Sequence, residues 1–214
     1  MEITWYGHSC FRFMERGVAS VVADPFAASL GLGEPKVPAS DIVTISHHAP
    51  GHDNYELVKK VTHVLDRPGE YEIGGVFISG VATYNMRVEP DQTRQNIVFV
   101  YDFDRARIAH LGDLDHVPSQ SQIEQFGPID VLLVPVGGGG ALNSSQAAEV
   151  ISLIEPNVVV PMHYYTKGSK VTLDPLDKFL KELGITEPQV DTSLKVTSSS
   201  DSDETQVVVL EVSE

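Results

Sequence analysis

Two uninterrupted apolar runs, Val131 to Val136 and Val158 to Met162, flank a segment of helical spacing, Ser144 to Ile154, with Ser144 or Asn143 placed to cap it. A strand that is apolar at every position has to be covered on both faces, because an alternating pattern would mark a face turned to water. The chain is therefore expected to build sheets sandwiched by helices, an α/β fold.

The remaining pattern extends this picture. Short β-rich stretches open the chain at Glu2 to Tyr6, Cys10 to Met14, Val18 to Ala23 and Asp41 to Ser46. Leu30 to Ser40 carries too much Gly and Pro for a regular element and reads as a loop. A helix is expected near Asn54 to Lys60. Further strands are expected at His63 to Leu65, Glu70 to Ile73, Val76 to Val81, Asn96 to Asp102 and Ala106 to His110. Helices are expected at Ser119 to Gln125 and at Pro175 to Leu183, the latter closed by Gly184. Val196 to Glu204 is a polar, acidic loop before a last strand, Gln206 to Val212. Nothing resembles an interdomain linker or a tandem repeat, so residues 1–214 are expected to form one domain.

Charge and cysteine content narrow the function classes. Thirty Asp and Glu stand against fifteen Lys and Arg, a net charge of −15. Such a surplus repels phosphate backbones and argues against nucleic-acid binding. No run approaches the ~20 apolar residues of a membrane helix, and no leader pattern opens the chain, so no membrane partner is expected. A single cysteine, Cys10, cannot form an intrachain disulfide, which favours a reducing, cytoplasmic setting.

Eight histidines carry the chemistry. The densest group is Ser46-His47-His48-Ala49-Pro50-Gly51-His52-Asp53, directly after the apolar stretch Ile42 to Ile45. Neutral imidazole is the commonest protein ligand for zinc and suits iron as well, and a loop at a strand end can aim several rings into one space. His110-Leu111-Gly112-Asp113, Pro161-Met162-His163-Tyr164 and Gly7-His8-Ser9 are three more histidine-bearing loops of this kind. Ser9 and Cys10 have no triad partners in recognisable order, and no Gly-x-Ser-x-Gly elbow exists, which argues against serine-hydrolase chemistry. Gly137-Gly138-Gly139-Gly140 lacks the Lys-Ser/Thr ending of a phosphate loop; its glycines are expected to let backbone approach the site, with the following helix start near an anionic group. Arg67, Arg87 and Arg94 are candidate anion partners.

Taken together with Asp24-Pro25, Pro68-Gly69-Glu70-Tyr71 and Val134-Pro135-Val136-Gly137-Gly138, these motifs occur in an order that resembles the metallo-β-lactamase fold hydrolases. The branch most similar is that of ascorbate-6-phosphate lactonase and the small zinc-dependent hydrolases related to it. The resemblance spans nearly the whole chain and implies a four-layer αββα sandwich with a metal site at one edge between two sheets.

The family's first metal loop reads Ser or Thr, His, any residue, His, any residue, Asp, His. By that resemblance His47 and His52 match, whereas Ala49 stands at the second histidine and Gly51 at the aspartate. The next family histidine falls at Asn85, Asp113 matches the carboxylate that bridges two metals, and His163 matches the last histidine. One metal position is left with His47 and Asp113, the other with His52, Asp113 and His163. Three ligands and an open fourth place suffice for a catalytic zinc, while two seldom hold one. The expectation is at most one divalent metal, zinc or alternatively manganese or iron, at His52, Asp113 and His163, with His47 kept among the candidate ligands and Asp113 and His52 catalytic. His8, His48, Asp53 and Asn85 are expected to line the substrate, His48 or Asp53 also being placed to substitute for a lost ligand. His110 and His116 are expected to support the site, and His63 to be structural.

Two functions follow. One is a metal-dependent hydrolase of a small ester, lactone or phosphorylated metabolite, for which the resemblance implies self-association as a homo-oligomer. The other is a binding or assembly module that keeps the fold, has lost the dinuclear centre and holds no metal.

Overall fold

Successive side chains on a strand point to opposite faces, and β3 (Val21–Ala23) and β4 (Ile42–Thr44) use both. Val21, Ala23 and Ile42 face the core between the sheets, while Val22 and Val43 pack outward with Tyr6, Cys10, Phe26, Ile45 and Val58. This double burial is why neither strand alternates with polar residues. The computed structural model describes residues 1–84, 95–197 and 204–213.

The amino-terminal sheet also contains β1 (Glu2–Trp5), β2 (Phe11–Met14), β5 (His63–Leu65) and β13 (Leu194–Lys195), in the order β13-β1-β2-β3-β4-β5. The second sheet is built from β6 (Gly69–Ile73), β7 (Val76–Tyr84), β8 (Gln95–Phe103), β9 (Ala106–His110), β10 (Val131–Pro135), β11 (Val158–Met162), β12 (Gln189–Asp191) and β14 (Gln206–Leu210). Its order is β12-β14-β11-β10-β9-β8-β7-β6. Both sheets are mixed. β3 runs parallel to β4, and β9, β10 and β11 run parallel to one another. Aromatic contacts join the sheets: Phe13 packs on Tyr101 at 4.8 Å between ring centroids, and Trp5 on Tyr164 at 5.3 Å. The Thr44 and Tyr101 hydroxyls share a buried hydrogen bond of 2.6 Å across the same interface. This is the metallo-β-lactamase arrangement expected above.

Three α-helices are described: α1 (Gln120–Phe126), α2 (Ser144–Ile154) and α3 (Leu176–Glu182). In α2 the Asn143 side chain accepts from the Gln146 backbone N–H and the Gln146 side chain returns to Asn143, a closed capping box. The helix start is thus occupied by its own side chains. Ala147, Val150 and Ile151 of α2 and Phe179 and Leu180 of α3 join the main core.

Some elements depart from the sequence expectation. Asn54 to Lys60 is not an α-helix; only Tyr55–Leu57 forms a 3-10 turn. Asn54 makes no side-chain cap, and Val58 turns extended to bury itself under the first sheet. A second 3-10 turn, Ala28–Leu30, directly precedes the expected loop, overlapping it at Leu30, which packs on the same face. β12 and β13 escape sequence reading because they are short and mostly exposed; pairing with β14 and β1 creates them. Asn85, Arg87 and Arg94, and residues 198–203 of the acidic loop, lie outside the described residues. No helix among the described residues is long and apolar enough to cross a membrane.

Candidate metal centre

β1 is antiparallel to β2 and β2 to β3, so β1, β3 and β4 point the same way. The loops that leave their carboxyl ends carry His8, Asp24 and Ser46 to His52. The loops after β9 and β11 carry Asp113 and His163. Loops at the carboxyl ends of parallel strands are where α/β sheets place ligands.

The side chains converge. His52 Nε2 lies 3.3 Å from one Asp113 oxygen, and His163 Nε2 lies 3.3 Å from the other. His47 Nε2 lies 3.7 Å from the first of these oxygens. Ligand atoms of His47, His52 and Asp113 fall within 4.8 Å of one another, as do those of His8, His52 and His163. His8, His52 and His163 are buried, and the Asp113 side chain keeps 16% of its surface exposed.

Around this group stands a ring of supporting contacts. Asp24, fully buried, accepts from the Ser46 backbone N–H at 2.8 Å, from the Ser46 hydroxyl at 2.6 Å and from His52 Nδ1 at 2.8 Å. Its carboxylate thus fixes the His52 tautomer with Nε2 turned to the site. Ser46 Oγ also sits 3.0 Å from His47 Nδ1. Asn96 Oδ1 accepts the Asp113 backbone N–H at 3.0 Å, while its amide donates to Thr83 Oγ1 and the Leu111 carbonyl. His110 binds the Ser9 carbonyl through Nε2 and accepts the Gly112 N–H on Nδ1, supporting the loop that carries Asp113. Among the described residues, three of the five non-glycine residues with positive φ are His8, Asp24 and His163, so backbone strain concentrates here.

Electrostatics follow from that crowding. Burial lowers the His52 pKa, but the Asp113 and Asp24 carboxylates outweigh it and raise it to about 10. Burial, with His163 and His52 nearby, drives His8 down to about 2, and burial with His52 drives His47 to about 4. Both rings are neutral at pH 7, the form that binds metals. Asp113 is held well below the usual carboxylate range: burial works against this, and His163 and His52 overcome it.

The comparisons with known proteins agree with this architecture. Residues 2–163 match the beta-lactamase superfamily domain. The chain belongs to the metallo-β-lactamase superfamily. Among solved structures, a candidate Zn-dependent hydrolase of this superfamily from Thermotoga maritima is 37% identical, with a TM-score of 0.79 over 98% of this chain and 99% of that one. A UPF0173 protein of Pyrococcus abyssi is 29% identical over 185 residues, 78% of this chain and 85% of its own. A UPF0173 metal-dependent hydrolase of Thermococcus onnurineus is 26% identical over 211 residues, 86% and 92% of the two chains.

Superfamily membership implies a metal, and the donors here fit one. Two atoms each about 2.0–2.1 Å from a tetrahedral zinc stand about 3.3 Å apart, the separation of His52 Nε2 from Asp113 Oδ2 and of His163 Nε2 from Asp113 Oδ1. Among the described residues His163 Nδ1 is buried without a hydrogen-bond partner, while Nε2 faces Asp113. Imidazoles with a carboxylate suit zinc, manganese or iron.

Of the residues singled out in the sequence, the structure brings His47, His52, Asp113, His163 and His8 together. His48 turns elsewhere, toward Asp53 and Asp66 at 3.5 Å each, so neither it nor Asp53 joins the described ligand groups. Arg67 is exposed beside Asp66, and His116 pairs with Asp115 at 2.8 Å. Gly137 does meet the site: a Cβ there would fall 2.3 Å from the His163 carbonyl oxygen. Sequence reasoning missed the roles of Asp24 and Asn96. Asp24 had a signal, an acidic residue directly after an apolar strand.

Proposed function

We propose that this chain is a metal-dependent hydrolase of a small ester, lactone or phosphorylated metabolite, with a single divalent cation held by His52, His163 and Asp113. The observation that carries the reading is the Asp113 carboxylate 3.3 Å from two buried imidazoles that arrive from opposite sheets. When bound, such a cation lowers the pKa of a coordinated water from ~15.7 toward ~7 and polarises a carbonyl or phosphoryl oxygen. The chain's own groups then do the rest. Asp113, partly exposed and ionised, is placed to hold the cation and to orient an attacking water by accepting a hydrogen bond from it. Asp24 holds the His52 proton on Nδ1, and Asn96 fixes the backbone of Asp113. His47, neutral and 3.7 Å from Asp113, is available to hydrogen-bond the substrate.

Ala49 and Gly51 favour a second reading, a binding module without catalysis, because neither residue supplies a ligand atom where the superfamily pattern has a histidine and an aspartate. One experiment separates the two. Metal content per chain is measured on protein purified without chelator, alongside hydrolysis of a panel of lactones, carboxylic esters and phosphoesters. Stoichiometric metal and turnover that both vanish in His163→Ala/Asp113→Ala support the hydrolase. No metal uptake after zinc or manganese is supplied overturns it.

A further inference from the structure

Gly51 is buried, and its φ lies outside the left-handed region. Conformational freedom therefore does not explain the missing side chain. Contact does: a Cβ on Gly51 would stand 2.7 Å from His8 Nε2 and 3.2 Å from His8 Cδ2, closer than packed atoms tolerate. The space through which an aspartate at 51 would project is filled by the His8 imidazole.

That ring is positioned as more than filler. His8 is 4% exposed, and it brings a ring nitrogen within 4.8 Å of ligand atoms on both His52 and His163. The ring centroids are 5.1 Å and 4.3 Å apart. Its backbone is held at φ +51, a conformation costing on the order of 1–3 kcal/mol for a residue with a side chain. Two donors hold it there: the His8 carbonyl accepts Trp5 Nε1–H at 3.1 Å and the His163 backbone N–H at 3.0 Å. The same hydrogen bond thus ties the backbone of His8 to that of His163. Filling space beside Phe26 would require neither the strain nor the tie.

We propose that His8 is a metal ligand that replaces the aspartate missing at position 51, so that the cation is held by three imidazoles, His8, His52 and His163, with Asp113. The proposal rests on the metal-binding reading above. Gly51 and His8 are then coupled: the space a side chain at 51 would need is the space the His8 imidazole fills. Trading a carboxylate for a neutral imidazole leaves the site with one less negative charge, which favours an anionic substrate group.

The test uses the full chain loaded with cobalt(II) as a spectroscopic probe. Affinity is measured by competition with a chelator, and exchangeable imidazole N–H signals are counted by paramagnetic proton NMR. Loss of a residue that only orients a ligand costs about 10–100-fold in affinity, so His8→Ala is expected to exceed about 100-fold and to lose one imidazole signal. His8→Phe, which fills the space without a nitrogen, is expected to fold and to show the same loss. Gly51→Asp alone weakens binding by displacing His8. His8→Ala/Gly51→Asp recovers most of the affinity, because the carboxylate gains room to bind. If the wild type binds cobalt and folded His8→Ala and His8→Phe keep its affinity and signal count, His8 is not a ligand and this inference fails alone. If the wild type binds neither cobalt nor zinc, the metal-binding reading itself fails.

Discussion

Replacing Asp24 by Asn tests how the buried carboxylates hold His52. Asn keeps the shape and tolerates the φ of +44 at this position, yet removes the charge and offers an amide where one of the three donors points. Metal-free, His52 is raised from 6.5 to about 10 by Asp113 and Asp24 together. At about 1.36 kcal/mol per pKa unit that rise corresponds to about 5 kcal/mol. Because two carboxylates share the ring, losing one is expected to remove on the order of 2–3 kcal/mol. The folded-state pKa lies above the unfolded value, so the stabilisation is fully present below pH 6.5 and is lost as pH rises through about 10. Metal-free wild type should therefore weaken between pH 7 and pH 10. Asp24→Asn should be less stable at pH 7 and should lose less over the same interval. Urea unfolding at both pH values measures this. A variant as stable as wild type at pH 7, or one with an unchanged pH dependence, would refute the claim that Asp24 holds a protonated His52.

Three further predictions follow from the same geometry. Metal uptake must remove the proton from His52 Nε2, so calorimetry in buffers of different ionisation enthalpy should record proton release, with apparent affinity rising about tenfold per pH unit from 6.5 to 9. Gly112→Ala should cost about 1–3 kcal/mol or more, because a Cβ at φ +59 would lie 2.4 Å from Asn96 Oδ1 and 2.6 Å from Ser46 Cβ; metal titration should show weaker binding, since Asn96 anchors Asp113. Tyr101→Phe leaves the buried Thr44 hydroxyl without its 2.6 Å partner and should lower stability by about 1–3 kcal/mol in chemical denaturation.

The fold was legible where burial is complete. Val131 to Val136 and Val158 to Met162 have no alternation to mislead, and both became central parallel strands. It was illegible where a distant partner makes the element: Gln189–Asp191 is a strand through its pairing with β14. Near Asn54 the expected helix gives way to a 3-10 turn, with Val58 extended and buried. At the site, His47, His52, Asp113 and His163 could be found from motif order. The contact between Gly51 and His8 could not, because a glycine in sequence shows only an absent side chain, and what occupies its space is known only after two remote loops meet.

The centre draws His8, Asp24, His47 and His52 from one sheet and Asp113 and His163 from the other. A cation held there would act as a cross-link between two halves of the chain that are otherwise joined by apolar packing and by hydrogen bonds such as Thr44 to Tyr101 and His163 to His8. Such a clasp would stabilise the folded state over the unfolded one in proportion to the free ion available. Metal supply would then set how long the folded chain survives heat or protease, so that turnover of the protein in a cell would track the availability of the ion.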